Sequence, residues 1–337
     1  MNDPKIIASF SIISLLVAGV IIFQLLDYAA FKDALQQASE EPAEVVIATC
    51  AFLIAFILRA IAWKKVLPSM TLGQSLAGIH LSLGANHVLP LRLGEPLRVL
   101  SITKRSDISL DAATASTLTL RSADILSLIV IGVIIAPSAF SDILGWFGWL
   151  VIGLVLTIAI ASWKWLKGIV KRNDAVTLPG PTAIGLTAIA WILESVLVWQ
   201  SAHWAGLDVS WPDALLVTTV AVAAQIAAIA PGGFGTYEAA AVAAYVTLGY
   251  DAEIALVASL TAHALKTSYS LIAGAVAMIS PQPSFIGRFR LEKTEELLPE
   301  SHYPDNPVLL FLPAFNEEEA VGDCIDRVPQ TVCGLPV

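Results

Sequence analysis

The stretch AAIAPGGFGTYEAAAV, Ala227–Val242, breaks an apolar run at Pro231-Gly232-Gly233 and sets Glu238 just past the break. In water such a break is an ordinary turn. In lipid the freed backbone groups find no solvent partner, so irregular backbone survives only inside protein or along a cavity. Composition decides which solvent applies. Hydrophobic residues make up 56% of the 337 and charged residues 14%, with a mean hydropathy of +0.75. Soluble domains carry about a quarter charged residues, so the chain reads as an all-α polytopic membrane protein. The net charge of −9 weighs against nucleic acid as a partner, because that needs a basic face. The acid excess is local, in 27–44 and after 291. Lys5 precedes a long apolar run with no small-residue cleavage site, which reads as an uncleaved anchor. Cys50, Cys324 and Cys333 form no metal-ligand or disulfide framework.

A spanning helix needs about 20 apolar residues. Six stretches qualify: 6–26, 44–66, 112–136, 144–166, 183–204 and 252–279. Two others, 72–100 and 213–249, are apolar but broken in the middle by Pro-Gly turns. They read as re-entrant hairpins, pairs of half-helices that enter and leave on one side. Basic residues test this reading, because short cytoplasmic loops carry them in excess. The acidic loop 27–43 has Lys32 as its single base and faces outside. With both broken segments re-entering, Lys64 and Lys65, then Arg98, Lys104 and Arg105, then Lys164, Lys167, Lys171 and Arg172, then Arg288, Arg290 and Lys293 all fall inside. Counting the broken segments as full spans would put two of those clusters outside. The expectation is about six full transmembrane helices plus two re-entrant hairpins, eight hydrophobic segments, in the plasma membrane with both termini cytoplasmic.

The two breaks resemble each other. In HVLPLRLGEPLRVL (His87–Leu100), Pro90, Leu93, Gly94 and Glu95 match Pro231, Phe234, Gly235 and Glu238, with two residues inserted before the second glutamate. A long helix follows each, and Arg121 and His263 stand at similar places on those helices. One hairpin opens from the cytoplasm and the other from outside, so the halves would be inverted repeats. Transporters built on that plan place their site at the midplane between broken helices.

Charge at mid-bilayer is costly and marks a pathway, a site or an internal ion pair. Thr114, Thr117, Arg121 and Asp124 share one helix face, as do Ser259, His263, Lys266 and Ser270. Glu194 lies at mid-depth in its own span. Arg121 and Lys266 against Asp124 and Glu194 form a balanced set, open to a structural reading as mutual neutralisation. They are equally open to a functional one, a cation held for a lipid phosphate beside half-helix N-termini. Glu95 and Glu238 either cap the returning half-helices or face a substrate route. Arg92 and Arg98 are more exposed by this topology, and read equally as site residues or as contacts to anionic headgroups at the inner surface. His80, His87 and His203 lack metal-ligand spacing and read as satisfied helix-face histidines.

LPLRLGEPLRVL, then LRSAD about twenty residues on, then APGGFGTYEAAAV, together resemble the transmembrane region of lysylphosphatidylglycerol synthases, a flippase-like family, over roughly residues 8–282. The resemblance implies a membrane domain that moves a modified lipid between leaflets. It implicates Pro90, Arg92, Gly94, Glu95, Arg98, Arg121, Asp124, Pro231, Gly232, Gly233, Gly235 and Glu238. Where the family usually has arginine this chain has His263, with Lys266 one turn on to replace the charge. No aminoacyl-transferase domain follows, so synthesis of a lysyl-lipid is not expected.

After 1–282 comes a Pro-rich, charged linker (283–306) and then PVLLFLPAFNEEEAVGDCIDRVP in 307–337. That segment resembles the opening strand and loop of glycosyltransferase family 2, an α/β fold. The resemblance implies a nucleotide-sugar loop at Pro313, Ala314, Phe315, Asn316 and Glu317. The Asp-x-Asp that binds metal and diphosphate would come later in such a domain, and thirty residues cannot bury a core. The chain is therefore expected to be the front part of a longer protein, not catalytic as it stands. Two functions are expected: a translocator for an anionic phospholipid or polyprenyl phosphate, or the membrane domain of a polyprenyl-phosphate glycosyltransferase that holds the lipid acceptor. Membrane lipids are the expected partners. No cofactor is expected for the membrane domain, and a nucleotide-sugar with a divalent metal only for a complete transferase.

Overall fold

The computed structural model describes residues 16–135, 163–168, 170–171, 173–226, 228, 230–281, 283–285, 331–332 and 335–336. The 144–166 span, most of the linker and the loop Pro313–Glu317 fall almost entirely outside the described residues. The chain divides into two units, Met1–Gly287 and Arg288–Val337. In the second, two short antiparallel strands pair, Thr331–Val332 with Leu335–Pro336.

The first unit is helical. An apolar helix α1 (Leu16–Leu25) leads to α2 (Tyr28–Glu40). The acidic loop expected at 27–43 is thus largely a helix, a correction with a local cause. Asp27 caps its start by accepting from the Ala29 and Ala30 amides, and Ala34 and Ala38, four apart, give it a buried face. Next come α3 (Pro42–Val66), entered through a proline at its first turn, and α4 (Leu72–Val88), opened by a reciprocal Thr71–Gln74 capping box. A tight turn at Pro90–Arg92 separates α4 from α5 (Gly94–Arg105), and α6 (Leu110–Ile135) follows. The second half repeats this order. It has α7 (Pro181–Trp204), α8 (Trp211–Ile226), a turn at Pro231–Gly233, α9 (Thr236–Thr247) and α10 (Ala252–Ile279).

Both broken segments are hairpins whose arms pack on each other, α4 on α5 and α8 on α9. Packing crosses between the halves: α3 and α7 face one another and α4 of the first hairpin lies on α10. The second hairpin packs on α7 and α10 of its own half and also touches α6. The two hairpin tips meet each other; Gly232 and Gly233 of the second are buried, whereas Leu91 of the first is exposed. Gly94 makes the first hairpin fit: a Cβ there would lie 2.2 Å from the Ser82 carbonyl oxygen. In the second tip Gly232 and Gly233 hold φ of 65° and 75°, where glycine carries no Cβ penalty. The first tip reaches the same left-handed region with Leu91 and Arg92, at a cost of about 1–2 kcal/mol each.

Polarity is arranged for lipid. Val46, Ile47, Ile134, Ile272 and Val276 are exposed, whereas Arg59, Arg98, Asp124, Glu194, Glu238 and Lys266 are buried. An exposed apolar girdle around buried charge is the reverse of a soluble fold. Among the described residues, α3 and α7 are the helices long and apolar enough to cross a membrane unaided. Helices α6 and α10, of 26 and 28 residues, have the length but carry the polar stripes.

Candidate functional site

Four helices and both hairpins bring their polar stripes to one place. Glu194 on α7 accepts from Lys266 Nζ on α10 at 3.1 Å and is ion-paired with Arg59 Nη2 on α3 at 2.9 Å. Arg59 Nε also lies 3.6 Å from Asp124 on α6. Asp124 pairs with Arg121 at 3.1 Å, and Arg121 pairs with Glu95 of the first hairpin. Arg98 closes the chain, 3.6 Å from Glu95. A continuous ionic network thus crosses the molecule from α10 to α5. With Arg92 it holds five cations and three carboxylates, so it is not the balanced set of four expected from the sequence.

Arg59 is the residue that sequence reasoning missed. It sits seven residues inside an apolar stretch and is 4% exposed; a charge at that depth is itself the signal. Its guanidinium lies over the Trp191 ring at 4.1 Å and the Phe56 ring at 5.0 Å. Arg98, expected to be more exposed from the sequence topology, is 2% exposed and lies over Trp63 at 4.9 Å. The reason is the hairpin fold: α5 turns back onto α4 and carries Arg98 inward.

The tip glutamates divide their roles. Glu238 caps its half-helix, accepting from the Gly235 amide at 2.7 Å, and also pairs with His263 Nδ1. Glu95 does not cap. Asn86 of α4 takes the Gly94 amide at 2.9 Å, which leaves Glu95 to Arg121, Arg98 and the Ser82 hydroxyl. His80 bonds the Leu76 carbonyl and the Tyr269 hydroxyl, and His87 and His203 bond carbonyls one turn back. No cluster of metal-ligating side chains occurs among the described residues.

Between the halves lies a cavity of about 80 Å³, lined by Arg59, Arg92, Arg98, Arg121, Glu194 and Gln225 among others. Four guanidinium groups line it with one carboxylate, Glu194, and Glu95 and Asp124 pair with three of the four. Arg59 Nη1, Arg98 Nε and Trp191 Nε1 are buried without a hydrogen-bond partner. A buried donor left unpaired costs about 1–3 kcal/mol, and guanidinium forks match the oxygens of a phosphate or carboxylate. The cavity is only partly enclosed, since the Arg121 side chain beside it is 33% exposed.

Residues 6–274 match the family model for the lysylphosphatidylglycerol synthase TM region. The chain belongs to the lysylphosphatidylglycerol synthase transmembrane family. No curated protein and no solved structure matches it. The match spans both hairpins and the whole ionic network, so the cavity belongs to the family domain. This member of the lysylphosphatidylglycerol synthase transmembrane family is an integral membrane protein of a lipid-related family. It carries His263 and Lys266 on the helix that follows its second hairpin.

Proposed function

We propose that the protein translocates an anionic lipid, holding its phosphate headgroup in the cavity where the two hairpin tips meet. The observation that carries this is the excess of guanidinium groups there, with buried donors still unpaired. In this reading the hairpins enter from opposite faces of the plasma membrane, termini cytoplasmic, and alternate in exposing the site. Acyl chains remain in lipid along the apolar girdle, so only the headgroup needs a polar path. Phospholipids and polyprenyl phosphates share the required group.

The test is dithionite quenching of a fluorescent phosphatidylglycerol in proteoliposomes. Arg121→Ala and Lys266→Ala are expected to slow flipping by about tenfold or more, the scale of one lost charged hydrogen bond. Wild-type rates in both folded variants would sink the assignment.

The segment PVLLFLPAFNEE favours a second reading, in which these helices hold a polyprenyl phosphate for a family 2 glycosyltransferase domain that begins at about 307. Its test is glycosyl transfer from a nucleotide-sugar to polyprenyl phosphate, with a divalent metal, by the full gene product. Loss of transfer on chelation is the expected result.

A further inference from the structure

The two hairpins end in glutamates with matched but chemically different partners. Glu95 meets Arg121 on the helix after the first hairpin, and Glu238 meets His263 on the helix after the second. An arginine does not give up its proton in a protein, whereas a histidine titrates near pH 6.5 when unperturbed. The first pair is a fixed ion pair. The second holds a residue type that can exchange a proton.

The second pair is also isolated. Glu238 and His263 are 1% and 5% exposed. Among the described residues the carboxylate is bonded by His263 and the Gly235 amide alone. Other groups around it do not replace that charge. Tyr237 on α9 places its ring 4.9 Å from the imidazole, and His87 on α4 places its own at 6.1 Å. Lys266, one turn along α10, is held by Glu194 of α7. Arg92 at the first tip lines the central cavity, and Glu253 on α10 lines an apolar cavity that reaches Glu238. The α1 residues that line this cavity, Val17, Ala18, Ile21, Ile22 and Leu25, bring no titratable group. With one proton on the pair its net charge is zero; without it, one negative charge is left in a buried site.

Two residues, Gln225 and Gly232, lie between the pair and the central cavity. Gln225, which lines the cavity, donates to the Gly232 carbonyl. On its other side a Cβ at Gly232 would stand 3.2 Å from the His87 ring and 3.6 Å from His263 Nε2. We propose that the His263–Glu238 pair is a proton-binding site that loads one proton together with the anionic headgroup, so that translocation is proton-linked. This rests on the headgroup reading above. A negative headgroup beside the pair disfavours its unprotonated, negative form, and by linkage a bound proton favours the headgroup equally. One proton enters from water as the lipid arrives and returns to water as it leaves, with no other bond made or broken.

The full chain is placed in phosphatidylcholine nanodiscs and titrated with dihexanoyl-phosphatidylglycerol, a phosphodiester that does not itself titrate near neutrality. Wild-type affinity is expected to rise by up to about tenfold per pH unit between roughly pH 8 and 6, the limit for one linked proton. A pH-indicator dye reports the matching uptake. His263→Arg fixes the charge, and both the pH dependence and the uptake are expected to vanish. His263→Asn, which keeps a donor at the Nδ1 position, gives the same answer should the arginine fail to fold. Binding by wild type with no pH dependence overturns the proton site alone. So does persistence of the full dependence in both variants. No phosphatidylglycerol binding at any pH overturns this inference and the headgroup reading together.

Discussion

Arg59 lies between Asp124 and Glu194, which come from different helices, so one guanidinium ties α3 to both α6 and α7. Each carboxylate keeps another cation when Arg59 is removed, Arg121 for the first and Lys266 for the second. Arg59→Ala is therefore expected to cost about 0.5–3 kcal/mol, the ordinary range for one substitution, rather than the larger penalty of a stranded lone charge. Thermal unfolding in mild detergent checks this, with Arg59→Lys falling between the two. At this scale the sequence was legible only where charge interrupts apolar sequence conspicuously. Arg121, Asp124, Glu194 and Lys266 stood out, whereas Arg59 was passed over near Lys64 and Lys65. The division of labour between Glu95 and Glu238 was not legible at all. It depends on Asn86, eight residues before Gly94, reaching the amide that Glu95 would otherwise cap.

Among the elements, the hairpins were legible because proline and glycine in an apolar run leave backbone groups that need a partner. Helix α2 was not, because acids at both its ends hide a buried face made of two alanines. Close approach is what sequence conceals most. Helices α4 and α10 cross with Gly84 against Gly274, where a Cβ on Gly84 would lie 2.8 Å from the Ser270 carbonyl oxygen. Gly84→Leu forces backbone apart and is expected to cost about 1–3 kcal/mol, read as a lower unfolding temperature. At the corner between α2 and α3, Glu41 accepts from the Trp204 indole N–H at 2.9 Å, which holds its carboxyl below the usual carboxylate range. A depressed folded value means the stabilisation is present at neutral pH and is lost as pH falls through it. Glu44 beside it is shifted the opposite way, upward, by its contact with Glu41. Acidification therefore first relieves that pair, and loosens the Trp204 bond once Glu41 itself is protonated, below about pH 4, seen as faster amide exchange across 41–45.

Across the whole molecule, packing between the halves makes the two tips neighbours, and a restraint there tests whether they must part. His87 and Gly232 stand close enough for paired cysteines: a Cβ on Gly232 would be 3.7 Å from the His87 Cα. In the double variant His87→Cys, Gly232→Cys, oxidation is expected to stop lipid flipping and reduction to restore it. Unchanged flipping with the bond formed would rule out gating by separation of the tips. The sequence carried the pairing of two like halves in its matched prolines and glutamates. It did not carry the crossing, since nothing in α4 alone says that its partner lies almost two hundred residues away. That crossing bears on how the chain is made. Arg105, at the end of α5, donates to the Ala277 carbonyl near the end of α10. The first hairpin is thus synthesised long before the α10 surface that covers it. A nascent chain stalled before residue 252 would present this unseated hairpin to the insertion machinery and to membrane proteases. Seating of the first hairpin therefore waits on α10, however well the earlier helices have formed.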